Sequence, residues 1–142
     1  MARPNTRRRK RSNGAFWVLG IAVALVVALF ATRRDAQGAE HPKPRPTASA
    51  ASVVPESRYE GYPRIQQTYA EVAQVPKVVD GIYCYCHCEE NMGHYSLLDC
   101  FSSDHAANCD VCLSEGALAY KMTQDGKTLD QIRHAVDQLY AQ

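Results

Sequence analysis

Six cysteines fall between residues 84 and 112 and none lies elsewhere, in the order C-x-C-x-C-x11-C-x8-C-x2-C. The first three alternate within Tyr83-Cys84-Tyr85-Cys86-His87-Cys88, and Cys100, Cys109 and Cys112 follow. A stretch this dense in thiols has three uses. It staples a fold with disulfides, it holds a thiophilic metal, or it exchanges disulfides with a partner. The fold around it needs such help. Residues 58–142 read as the globular unit, and a unit of that size buries only about 60–65% of its unfolded surface.

The residues before it read differently. Residues 1–34 carry eight Lys/Arg and no acid, whereas residues 35–142 carry eight against fifteen Asp/Glu, a net of −7. The chain's overall charge of +1 hides this asymmetry. An acidic domain lacks the cationic footprint of nucleic-acid binding. The basic tail, residues 1–14, precedes an uncharged apolar run from Phe16 to Thr32. Seventeen residues reach about 25 Å as a helix, enough to span a thin bilayer. The reading favoured is a transmembrane signal anchor over residues 15–34, with the tail cytoplasmic by the positive-inside rule. A signal peptide cleaved near Ala36-Gln37-Gly38 is the competing reading. No cysteine directly follows the run, so lipoprotein attachment is excluded. Either way residues 35–142 are expected outside the cytoplasm, where disulfides are possible. Residues 35–57 alternate proline with small residues and are expected to be an extended, mobile spacer, with His41 solvated.

Within 58–142 the apolar period is helical. Ile65, Tyr69, Val72 and Ala73 stripe one face of a helix over Arg64 to Gln74, stopped by Pro76. Asp80-Gly81 signals a turn into the cysteine run, and Glu89 to His94 reads as a polar loop. Ser96-Leu97-Leu98-Asp99 resembles a capping box on a short helix carrying Cys100. Ser102-Ser103-Asp104 predicts the N-terminus of a helix over about His105 to Met122, ended by Asp125-Gly126. Thr128-x-x-Gln131 caps the last helix, with Leu129, Ile132, Val136 and Leu139 on one face. The expectation is an all-α bundle of three or four helices with an irregular cysteine-rich loop, behind an N-terminal membrane helix.

On the predicted third helix, His105, Cys109 and Cys112 fall at i, i+4 and i+7 on one face. Thiolates with imidazole suit copper(I) or zinc(II). A zinc finger usually shows two C-x2-C pairs and this chain has one, so copper is favoured over zinc. The ligands expected are Cys84, Cys86, Cys88, Cys109 and Cys112, with Cys100 and His105 next. The role would be trafficking, storage or sensing, with the membrane and a metal- or thiol-transfer protein as partners. The alternative is a thiol–disulfide oxidoreductase. Cys109 would attack from a helix N-terminus, Cys112 or Cys100 would resolve, and His105 would accept the proton. The plain reading is structural bridges, for which six cysteines allow 15 pairings. His94 reads equally as loop residue or ligand, and the same loop's Met92 as an ordinary surface side chain. His87 gains interest from its two cysteine neighbours. His134 reads as solvated, and Tyr83, Tyr85 and Tyr95 as packing over the loop.

The stretches 82–88, 94–101 and 105–112 resemble the bacterial PCYCGC-motif or CYCXC family, and the likeness runs from about Tyr69 to Tyr140. Tyr83 and His87 stand where one branch has proline and glycine, which places the chain nearer the CYCXC branch. The resemblance implies a cysteine-rich domain exported across a bacterial cell membrane. Members are often lipid-anchored, from which this leader departs. Some relatives are described as selenoproteins, which implies a reactive chalcogen. Separately, Cys109-x-x-Cys112 followed by Gly126 to Ile132 and a closing Tyr140 is similar to the membrane-anchored thiol reductases of cytochrome c maturation.

Overall fold

A computed structural model describes residues 38–141. The basic tail and the anchor expected over 15–34 lie outside the described residues. Among the described residues no helix is long and apolar enough to cross a membrane.

The described chain is helical, without a strand. Six α-helices follow one another: α1 Pro63–Gln74, α2 Pro76–Val79, α3 Cys88–Met92, α4 Leu97–Phe101, α5 Asp110–Gln124 and α6 Leu129–Tyr140. Short 3-10 turns occupy Ala50–Ser52, Glu56–Tyr59 and Ala106–Asn108. Proline starts both α1 and α2, where its missing N–H is no loss and its fixed φ suits the first helical position. The Thr128–Gln131 capping box forms as its sequence demands, each side chain bonding the other's backbone. Gly126, at φ 73°, reverses the chain after α5.

α1 packs mainly on α5, and α6 packs on α5 from another side. α1 turns Tyr69 and Val72 wholly inward, where they meet Leu97, Leu98 and Phe101 from α4. Each large apolar side chain so buried contributes about 1.5–3 kcal/mol. Tyr69 centres the packing. Its ring lies 4.3 Å from that of Tyr59 and meets Phe101 edge-on at 5.0 Å. Its hydroxyl donates to the Ser103 carbonyl and accepts from the Ala107 N–H, so no polar atom is stranded there. Gly116 makes the close approach of α5 possible. A Cβ there would sit 2.7 Å from the Phe101 ring and 2.9 Å from Val72.

Two expectations are corrected by this packing. The segment after residue 37 is no loose spacer. It lies along the domain, with Ala48 and Val53 buried in the core. Arg45 fastens it. The guanidinium bonds both Asp80 and Asp99, and the Arg45 N–H adds a bond to Asp80. Prolines and alanines carry too little apolar surface to signal docking, and the fastening depends on acids far along the chain. His41 is likewise held. Its Nδ1 accepts from the Tyr83 N–H and its Nε2 donates to Asp137. The second correction concerns Ser96 and Asp99. Ser96 does start α4, but its hydroxyl donates to Asp80, and Asp99 accepts from the Tyr95 N–H and from Arg45. The expected capping box is replaced by this polar clamp.

Candidate metal centre

The cysteine run folds as a tight loop, which the alternating spacing left open as one of two arrangements. Tyr85 to His87 form a turn, and His87 sits in the left-handed region at φ 58°, ψ 36°. Residues Glu89 to Met92 then wind into α3, a single helical turn in place of the expected loop. This brings Cys84, Cys86 and Cys88 to one point. Cys84 Sγ lies 3.1 Å from Cys86 Sγ, which lies 2.9 Å from Cys88 Sγ.

Cys100 from α4 and Cys112 from the first turn of α5 complete the group. Cys112 Sγ is 3.6 Å from Cys84 and 3.3 Å from Cys86, and Cys100 Sγ is 3.6 Å from Cys84. Two imidazoles close it. His105 Nε2 is 3.0 Å from Cys88 Sγ, His94 Nδ1 is 3.2 Å from Cys100 Sγ, and the rings meet edge-on. Cys84, Cys88, Cys100 and Cys112 are buried and Cys86 is half-buried. All six cysteines are free thiols.

Three sets of four donors have all their ligand atoms within 4.8 Å of one another: Cys84, Cys88, Cys100, Cys112; Cys86, Cys88, His105, Cys112; and Cys88, His94, Cys100, His105. Soft sulfurs with imidazole nitrogens, within ligand reach and largely out of water, fit a thiophilic ion. A groove lined by Cys86, Cys88, His105, Met92, Asp104 and Cys109 opens onto them and offers an entry path.

The cluster is electrostatically uneven. Hydrogen bonds from Cys100 and Cys112, joined by Cys86, draw the Cys84 thiol well below its ordinary range. Cys112 is pushed up by its interactions with Cys100 and Cys84, and Cys86 is pushed up first by burial. A bound cation would displace the thiol protons. Below it lies Glu115 of α5, wholly buried. One carboxylate oxygen accepts from the Tyr85 N–H and the other has no partner. Burial, then the Cys84 charge, pushes its carboxyl up to about 9.

Of the residues expected from sequence, Cys84, Cys86, Cys88, Cys100, His105 and Cys112 come together. Cys109 belongs to none of the three sets. The helix predicted from His105 begins only at Asp110, after a 3-10 turn and a break at Cys109, which has extended φ/ψ of −133° and 109° as the N-cap. The i, i+4, i+7 face therefore does not exist. Cys112 turns inward to Cys84 and Cys86, no hydrogen bond joins it to Cys109, and His105 points at Cys88. Cys109 stands at the N-cap of α5, the helix N-terminus from which the oxidoreductase reading has it attack. His94 joins the cluster, whereas sequence weighed it equally as a loop residue. Glu115 was not anticipated, although an acid three positions after Cys112 on an otherwise apolar helix face is a signal of it. His87 is exposed and turned toward Tyr83 and Glu90, and His134 toward Gln138. Tyr85 does pack beside the loop, stacked on Tyr140 and bonded to Asp137.

Fold and site together define a small helical domain built around a buried thiol–imidazole cluster. The chain belongs to the family of proteins of unknown function with a PCYCGC motif, whose model matches residues 28–142. Neither the curated proteins nor the solved structures include a match to it.

Proposed function

We propose that the protein binds a thiophilic metal in this cluster, copper(I) in preference to zinc(II), for trafficking, storage or sensing. One observation carries the reading: five free thiols and two imidazoles converge at one largely buried point, where among the described residues no lysine or arginine hydrogen-bonds to the sulfurs. Buried thiolates without a cationic partner are costly, and a bound metal ion would supply that partner. Copper is preferred because the donors are soft and the ligand order is not that of a zinc finger. The proposed setting is a bacterial cell membrane, spanned once by residues 15–34, with the cluster outside the cytoplasm and a metal-transfer protein as partner.

The test is made on the full chain, purified anaerobically in mild detergent from a host grown with added copper or zinc. Elemental analysis and thiol titration under denaturing conditions are run on the same sample. Stoichiometric metal with all six thiols titratable supports the reading. Metal-free protein with its cysteines joined in three stable disulfides would overturn it.

A further inference from the structure

The number of ions the cluster holds is a question within the metal reading, and any answer to it rests on that reading. Five sulfurs and two nitrogens exceed what one tetrahedral ion uses. The surplus is not scattered. The set Cys84, Cys88, Cys100, Cys112 and the set Cys86, Cys88, His105, Cys112 have Cys88 and Cys112 in common, and between them they use every clustered thiol and His105. We infer that the cluster is built for two metal ions that share the Cys88 and Cys112 thiolates as bridges. Cys84 and Cys100 complete one ion's ligands, and Cys86 and His105 complete the other's.

A single ion in the first set accounts poorly for Cys86. That thiol stands 2.9 Å from Cys88 and 3.3 Å from Cys112, against two of the ion's own ligands and on the side where His105 approaches Cys88 at 3.0 Å. Three sulfurs and a nitrogen are thus already grouped as a second coordination site. His94, 3.2 Å from Cys100 Sγ, remains to orient that ligand. The groove lined by Cys86, Cys88 and His105 reaches the second set first, so that ion would be the more exchangeable.

The test titrates cobalt(II) into the reduced, metal-free full chain in mild detergent, followed by absorption and electron paramagnetic resonance, with native mass spectrometry for the final count. The expected result is about two ions per chain. Thiolate-to-cobalt absorption rises through both equivalents, whereas the resonance signal rises with the first and falls with the second, because thiolate-bridged ions couple magnetically. Cys86→Ser keeps the four-thiol set and is expected to hold about one ion, with no loss of signal. Cys109→Ser lies outside both sets and keeps about two. A wild-type chain that stops at one ion overturns the pair and leaves the metal reading intact. A chain that binds no ion overturns both. Two ions whose signals simply add overturn the shared thiolates.

Discussion

Cys100 and Phe101 are neighbours on α4, both wholly buried, and they belong to two different kinds of interior. Phe101 faces Tyr69, Val72 and Gly116, in packing that needs nothing from outside the chain. Cys100 faces Cys84 and His94, in a cluster whose charge and proton balance depend on what occupies it. α5 repeats the pattern, sending Cys112 to the cluster and Gly116 to the aromatic contact one turn on. The same two helices thus serve an apolar core and a thiol cluster that could hold a metal ion. A domain of this kind is expected to keep its helices when emptied of metal, unlike a zinc finger, whose core is too small to stand alone.

That difference can be broken by mutation, and the largest effect is expected on the apolar side. Phe101→Ala should cost about 3–5 kcal/mol of stability, equally with and without metal. Denaturant midpoints of the loaded and emptied protein check this, and a loss seen only in the loaded form would mean that the two interiors are one. Chelation of the wild type should lower the thermal midpoint while far-ultraviolet circular dichroism keeps its helical shape. Collapse of that signal would make the aromatic core dependent on the metal.

The clamp at Arg45 comes next. Arg45→Ala leaves Asp80 buried with Ser96 as its remaining side-chain donor, at an expected cost of about 2–3 kcal/mol. Arg45 is itself more than a third exposed, so solvent screening keeps the figure below that of a fully buried pair. The pH profile carries its own signature. Burial would raise the Asp80 carboxyl, but bonds from Arg45 and Ser96 outweigh it and hold it below the usual range. Its contribution is therefore present above about pH 4 and lost as pH falls through the lowered native value. Arg45→Ala should remove that acid limb.

On the thiol side the sign reverses. Glu115 is held protonated up to about 9, first by burial and then by Cys84. In the metal-free protein, stability should fall as pH rises from about 4.5 toward that value, by at most about 1.4 kcal/mol per unit. Glu115→Gln should flatten this limb while leaving the acid limb of Asp80 in place. Thermal midpoints from about pH 2 to about pH 9 separate the two. The smallest effect is expected at the loop itself. His87→Gly should change stability by less than about 1 kcal/mol, in the stabilising direction, because relief of the left-handed backbone competes with added freedom in the unfolded chain.

Legibility in the sequence divides along physical lines. α1 and α6 were readable because their apolar residues recur at helical spacing and their ends carry proline or a capping box. The thiol cluster was readable as a group because its members are few and crowded. What escaped was set by distance along the chain. Nothing in 38–57 announces that Arg45 will meet Asp80 and Asp99, and an alternating Pro/Ala segment has the composition of a spacer whether or not it docks. The helix from His105 failed at Cys109 for a subtler reason. The Ser/Asp cluster before it does promote a helical start, but what forms is a brief 3-10 turn, and the α-helix starts only at Asp110. A continuous helix would have placed Cys109 and Cys112 on one face. The break keeps Cys109 out of the cluster and leaves Cys112 inside it.

His87 gives the family's motif a physical meaning. It is the one described residue other than glycine with positive φ, and it stands where PCYCGC has its glycine. In this loop the chain reverses between the second and the third cysteine, at His87. His87 makes that reversal in the left-handed conformation. The fifth letter of the motif is thus a dihedral angle written in amino-acid code. This chain keeps the angle while spelling it with an imidazole, and the position can carry a solvent-facing side chain without disturbing the sulfurs beneath it.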